Sequence, residues 1–323
     1  MAPENPMIKD RIKVYKTDHP SGILWYHRFG LALPIVPYYL IFLAPCESGH
    51  INFIVRIRLS AASNVYMTYG KGDGIMDFER LYQSIFRRKS VRKYEMTPLD
   101  ASVTDEVSRL IPSLKPLFDI RTDISLVQGD TIRGLLALKA PHYLVMSSEN
   151  REGYLVNAGF ILQQMDLALS AMGLGSCWVG LAKPSGNIAI KPGMEFVIAM
   201  AFGKAAGSLY RDSLSEFKRK PLGKIANVPE DPLLEAARLA PSSVNSQPWY
   251  FKKEADRIHA YCIRTGGLKA LIYERLNQID MGIALCHVWL AGLHLGKDPV
   301  FARQPEFPEA PAGYEYVISV SGI

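Results

Sequence analysis

The chain of 323 residues has few cysteines, no strong charge of either sign and no motif for holding a metal. Its four cysteines (Cys46, Cys177, Cys262, Cys286) are widely spaced, with no CxxC pair, which argues against a disulfide scaffold and a zinc ribbon and makes a reducing cytoplasm the expected compartment. The net charge is +6, of which half belongs to residues 1–75, so the remainder is too mildly basic for a nucleic-acid surface. His142, His259, His287 and His294 show no HExxH or other ligand spacing, and no metal is expected. What remains, 48% hydrophobic and 21% charged residues, is the makeup of a globular protein with a sizeable core.

The one long apolar run is Phe29 to Cys46. Its length suits a membrane anchor or signal core, but Pro34 and Pro37 interrupt it and the stretch before it is too long for a signal n-region, so membrane attachment is not expected. Leu43-Ala44-Pro45-Cys46 is a poor lipoprotein box because proline precedes the cysteine. Lys71-Gly72-Asp73 can be encoded as AAA GGA GAT, a bacterial ribosome-binding sequence, two codons before Met76. Met76 opens a helical pattern at Phe78, Leu81 and Ile85. Translation from Met76, with residues 1–75 an upstream extension, is the resulting expectation; a natural tail, mobile or membrane-anchored, is the other reading. The intact mass of protein from the native gene separates the two.

From Met76 the chain matches itself. Glu106-x-x-Arg109-Leu110-x-Pro112-Ser113 returns as Glu235-x-x-Arg238-Leu239-x-Pro241-Ser242. Gly159, Leu162, Leu167, Ala168 and Gly173 return without a gap as Gly282, Leu285, Leu290, Ala291 and Gly296, in segments that read as buried helices ending at glycine. Gly193-Met194-Glu195-Phe196-Val197-Ile198 returns as Gly313-Tyr314-Glu315-Tyr316-Val317-Ile318, a turn entering a strand. Three landmarks in one order predict two homologous halves, 76–215 and 216–323, packed as a pseudo-dimer within one chain.

The halves differ where function is expected. Half one carries Arg88-Lys89-Ser90-Val91-Arg92 where half two has Arg219-Lys220-Pro221-Leu222-Gly223. On an extended segment Arg88, Ser90 and Arg92 leave one face together and offer two forks and a hydroxyl to a phosphate, although a solvated basic run has the same look. Half two carries Pro241-Ser242-Ser243-Val244-Asn245-Ser246-Gln247-Pro248-Trp249, whose polar loop half one lacks. Asn245 can pair with the carbonyl and imide edge of a heterocycle, or the loop can simply end a helix. Gly173-Leu174-Gly175 follows a helix, which disfavours a Rossmann phosphate loop, while its glycines and the amides near Gly180 permit close approach to a flat ligand. Cys177 reads as a packed side chain because no histidine is paired with it in sequence.

These motifs together resemble the flavin-dependent nitroreductase superfamily over Met76 to Ile323: an Arg-x-Ser-x-Arg start, an Ala-Pro-Ser-x-x-Asn-x-Gln-Pro-Trp segment and a Gly-Leu-Gly-x-x-Trp turn. The second motif lies after the third here, an order that suits the single-chain pseudo-dimer subgroup. The resemblance implies an α+β fold and one FMN per chain, held where half one's basic segment meets half two's loop. It places Arg88, Lys89, Ser90 and Arg92 at the phosphate and ribityl chain, with Arg219 or Lys220 as a further contact. Pro241, Ser242, Ser243 and Asn245 would line the flavin, Gln247 support the loop, and Gly180 and Leu181 bring amides to its N5 side. It implies ping-pong transfer of hydride from NAD(P)H to nitroaromatics, quinones or a related small-molecule acceptor, with no obligatory acid or base. An enzyme using FMN on another specific redox substrate, and a flavin- or ligand-binding protein without turnover, are the rival functions. A monomer free of nucleic acid and metal is expected.

Overall fold

The computed structural model describes residues 76–323 apart from 130, 135–137, 186–187 and 268–269; of residues 1–75 it describes strand backbone alone, the longest strands being Leu40–Pro45, Ile51–Ser60 and Ser63–Tyr69 in one antiparallel sheet. Met1–Asp73 and Gly74–Ile323 are separate compact units. Of the apolar run at 29–46, Leu40–Pro45 is strand and the rest lies outside the described residues. Among the described residues no helix is long and apolar enough to cross a membrane.

In the second unit each half opens on helices and closes on a sheet. Helix α1 (Phe78–Ile85) starts where the Asp77 carboxylate accepts the Arg80 amide at 3.1 Å, satisfying one of the first-turn donors. Helix α2 (Ala101–Leu110) follows, then strands β1 (Thr122–Gln128) and β2 (His142–Ser148), helix α3 (Tyr154–Ala171), and strands β3 (Gly175–Val179) and β4 (Glu195–Gly203). The second set runs α4 (Pro232–Arg238), capped by Asp231, then β5 (Trp249–Glu254), β6 (Arg257–Ile263), α5 (Ala270–His294), β7 (Val300–Ala302) and β8 (Tyr314–Ser321).

Both sheets are antiparallel and share one topology: the spatial orders are β1-β2-β4-β3 and β5-β6-β8-β7, so the fourth strand of each set lies inside the third. They even share a defect. In β4 the register skips Val197 between Phe196↔Ser147 and Ile198↔Met146; in β8 it skips Val317 between Tyr316↔Tyr261 and Ile318↔Ala260. An extra unpaired residue at the matching valine of each copy is a retained bulge.

Helices α3 and α5 form the centre. From Val156 to Ser170, α3 is buried on every side, which its sequence foretells by having no continuous polar face. The two helices touch at the matched glycines. A Cβ on Gly159 would stand 2.0 Å from the Ile279 carbonyl oxygen, and one on Gly282 would stand 1.9 Å from that of Val156. Each oxygen belongs to the residue three before the opposite glycine, so the contact is isologous: what one helix does to the other is done back to it. This α+β unit is an internally duplicated pair of halves about a pseudo-two-fold axis.

Candidate functional site

The basic segment of half one lies against the edge of its sheet. Ser90 bridges to Ser176 in parallel register and the Val91 amide donates to the Ser176 carbonyl at 2.9 Å. Ser90 and Arg92 face Cys177, whose thiol burial pushes up despite the opposing pull of Arg92 and Arg88; this thiol is poorly suited to be a nucleophile. Arg92 is exposed and Lys89 half-buried.

Arg88 departs from the expected outward fork. It is 1% exposed, with Nε 3.0 Å from Asp166 Oδ2 on α3, and Asp166 is fully buried. The two atoms are close as charges but poorly aligned as a hydrogen bond. Arg88 Nη2 donates to Ser90 Oγ at 3.2 Å, and Ser176 Oγ donates to the other Asp166 oxygen. Arg88 turns inward because a buried carboxylate awaits it, an arrangement that a lone buried guanidinium could not afford.

Two more guanidiniums gather beside it. Backbone pairing of Arg88 with Tyr210 and of Arg211 with Arg87 brings the following loop alongside, and the Arg211 guanidinium donates to the Arg88 carbonyl. Arg211 and the half-two residue Arg219 both approach the Phe217 ring, their guanidinium carbons 4.1 and 5.7 Å from its centroid. Arg219 donates to the carbonyls of Phe217 (2.8 Å) and Leu239 (3.3 Å) and to Asn245 Oδ1 (2.5 Å). Burial first, and then the neighbouring cations with Arg88 foremost, pull Arg219 down to about 9 and Arg211 down to about 10. Both stay charged at neutral pH and repel one another. His287 on α5 stands near Arg88 and Arg219. Burial, then these cations, hold it down to about 3, against a hydrogen bond to Ala236. Its Nδ1 must donate to the Ala236 carbonyl (2.8 Å), leaving Nε2 to accept from Gln163 Nε2 at 3.0 Å.

The half-two loop ends next to Arg219. Val244, Asn245 and Gln247 have φ of 46, 56 and 50°, left-handed residues without glycine on either side of a right-handed Ser246, and they store strain where function is expected. Val244 and Asn245 are exposed, Ser242 and Ser243 half-buried, and Pro241 and Gln247 buried. The strain is held by a network: Gln247 amide to Ser242 Oγ (2.9 Å), Gln247 Nε2 to the Asn245 carbonyl (3.0 Å), Lys220 amide to Gln247 Oε1 (2.7 Å) and Lys220 Nζ to the Ser246 carbonyl (2.8 Å). Lys220 therefore pins the loop.

Helix α5 carries the loop and the third motif one turn apart. Asp280 Oδ2 accepts the Ser243 amide at 2.9 Å, while Leu276 lies 3.0 Å from where a Cβ on Gly180 would stand. Four residues of helix separate these contacts by ~6 Å. Gly180 and Leu181 are both exposed. Full burial raises the Asp280 carboxyl to about 8, against the opposing Ser243 hydrogen bond. Asn157, its counterpart on α3, does the same work with an amide, accepting from Leu117 (2.8 Å) and Phe118 (3.0 Å).

Thus Arg88, Arg211, Arg219 and Asn245 converge from both halves, with Gly180 and Ser243 along α5. Sequence reasoning missed Asp166, Arg211 and Asp280, whereas His287, set aside as a ligand from its spacing, is a buried and hydrogen-bonded histidine. Asp166, the sole charged residue of α3, and Asp280, which opens the apolar stretch of α5, had a signal; Arg211 had none. Among the described residues no three His, Cys, Asp or Glu side chains group as a metal site.

The fold, with a cluster of buried and half-buried arginines where its halves meet, defines an α+β, internally duplicated protein. Residues 80–292 match the family model described as "Putative TM nitroreductase", and the chain belongs to that nitroreductase family of oxidoreductases. Among solved structures it is similar to a "putative nitroreductase" from Thermotoga maritima MSB8, with 20% identity over 79% of this chain and 96% of that one and a TM-score of 0.51. A nitroreductase with bound FMN from Desulfitobacterium hafniense DCB-2 is 12% identical over 40% of this chain and 90% of that one, at a TM-score of 0.33. An FMN-dependent nitroreductase from Clostridium difficile R20291 is 16% identical over 41% and 91%, at 0.31. No curated protein matches the chain.

Proposed function

We propose that this oxidoreductase is an FMN-dependent NAD(P)H reductase with one flavin per chain, acting as a monomeric pseudo-dimer of halves 76–215 and 216–323 in a reducing cytoplasm. The observation that carries the reading is the meeting of Arg88, Arg211 and Arg219 beside Asn245. Asp166 answers one of the three cations. The donor set fits a phosphate: Arg219 Nε and Ser246 Oγ are buried atoms without a hydrogen-bond partner, and the two depressed guanidiniums would gain from a neighbouring dianion.

Bound FMN would supply the chemistry of hydride acceptance and donation. The chain's own part is placement. Arg211 and Arg219 would neutralise the phosphate, with Lys89, Ser90 and Arg92 as further contacts and Arg88 held behind them by Asp166. Pro241, Ser242, Ser243 and Asn245 would line the ring from the other half, and Gln247 and Lys220 keep that loop in its strained form. Gly180 and Leu181, both exposed, would present their backbone amides to the ring, and the missing side chain of Gly180 lets Leu276 of α5 pack against that turn. Asp280 holds the Ser243 amide and, with its raised pKa, a proton at neutral pH. The acceptor that follows NAD(P)H is a nitroaromatic, a quinone or a related small molecule.

The test is the visible spectrum and FMN-to-protein ratio of the purified protein, followed by anaerobic NADPH or NADH. About one FMN per chain, bleached by nicotinamide, is the expected result for a single asymmetric interface site. Protein that cannot be reconstituted with FMN removes the reading; bound flavin that neither nucleotide bleaches leaves a binding protein instead.

A further inference from the structure

The internal symmetry locates the counterpart of the flavin site. Val179 closes β3 opposite Ala199, and Ala302 closes β7 opposite Ser319; Ala199 and Ser319 each lie six residues past the matched glycines Gly193 and Gly313. The residue after each strand, Gly180 in one half and Arg303 in the other, is therefore the same place in two copies. By the Gly159/Gly282 match, Leu276 beside Gly180 corresponds to Gly153, and Arg275 to Glu152. Arg303 does pair with Glu152.

A cavity of about 520 Å³ opens there, lined by Phe118, Gly153, Tyr154, Arg275, Gln278 and Arg303 among others. The Phe118 ring comes within 2.8 Å of where a Cβ on Gly153 would stand. The cavity lacks the phosphate side, since Pro221 and Gly223 replace Ser90 and Arg92, so nothing there recommends a second FMN. It has gained a different chemistry. The Arg303 side chain is 50% exposed and its partner Glu152 is 79% exposed, a pair that water holds only weakly. Across the cavity Arg275 is fixed by Tyr154 Oη (2.8 Å) and the Phe196 carbonyl (3.0 Å). An adjoining hollow of about 480 Å³, also bordered by Arg303, holds Phe307 and Tyr316 stacked at 3.9 Å.

A planar fork with a replaceable partner, set among aromatic rings, is a receptor for a flat acid. We propose that this reciprocal site binds a small aromatic carboxylate, which takes the Arg303 guanidinium from Glu152 and lays its ring against Phe118 and Tyr154. The inference rests on the duplication and not on the flavin reading.

Titration calorimetry of the full chain with 4-hydroxybenzoate tests it, with and without saturating FMN. One-site binding that FMN leaves unchanged is expected. Arg303→Ala should weaken it at least tenfold, and Glu152→Gln should tighten it several-fold by removing the internal competitor; both positions are half or more exposed, so both variants should fold. No binding, equal weakening by both variants, or displacement of the acid by FMN would overturn the proposal. Failure to bind FMN at all would instead strike the flavin reading.

Discussion

Arg88 and Arg219 are matched in the sequences of the two halves and meet opposite surroundings. Arg88 has a buried carboxylate, Asp166, 3.0 Å away; the residue matching Asp166 in α5 is Trp289, so Arg219 must make do with carbonyls and Asn245. A duplicated frame can thus keep its strands, bulges and helix crossing while its electrostatics diverge. The frame depends on shape, which both copies must satisfy at the shared axis. Charges depend on neighbours, which each copy can change alone.

The largest effect should come from removing the acid that separates the two arginines. Asp166→Ala leaves Arg88 buried without a counter-charge and should cost about 3–5 kcal/mol in urea unfolding. If the loss is within half a kcal/mol, the pair is not what balances Arg88. Next, Gly159→Ala attacks what the halves share: its methyl group cannot fit 2.0 Å from a carbonyl oxygen, and the forced helix separation should cost about 3 kcal/mol.

Arg92→Ala should weaken FMN binding by about 1.5–3 kcal/mol through a lost charge-assisted contact, read by flavin fluorescence titration. Two buried groups give the stability a pH optimum. Asp280, raised to about 8, keeps its proton in the folded chain while the unfolded chain releases it, so stability falls as pH rises from about 4 to about 8. His287, held to about 3, opposes this by losing stability as pH falls from about 6.5 toward 3. Asp280→Asn should keep the Ser243 hydrogen bond, as Asn157 does in the other copy, and flatten the upper limb of a denaturation profile against pH. The smallest effect is the control for the comparison: Gly223→Ala meets open space, and both stability and FMN affinity should stay within about 0.5 kcal/mol. Equal affinity losses in the Arg92 and Gly223 variants would abolish the distinction between the halves.

Much of the frame was legible residue by residue. Phe78, Leu81 and Ile85 announced α1, and the matched Gly159 and Gly282 turned out to be the place where the central helices touch. Gly193 and Gly313, both with left-handed φ, precede the two fourth strands as their turn signal implied. The loop at Pro241–Gln247 stood out by its hydroxyls and amides, and it does lie beside Arg219. The inward turn of Arg88 was not legible: alternation along an extended segment says which side chains share a face, but not whether that face meets solvent or a carboxylate. Arg211 gave no local signal because the pairing of its loop with Arg87 and Arg88 is set by sheet geometry.

By itself, the sequence determined the duplication, the order of helices and strands, and which copy holds the basic segment and which the polar loop, because periodicity, turn residues and self-similarity are carried along the chain. Which arginine is neutralised, which acid retains a proton and where the two copies' polar segments meet were decided in three dimensions. Those properties come from burial and from charges contributed by distant segments, and desolvation has no one-dimensional signature.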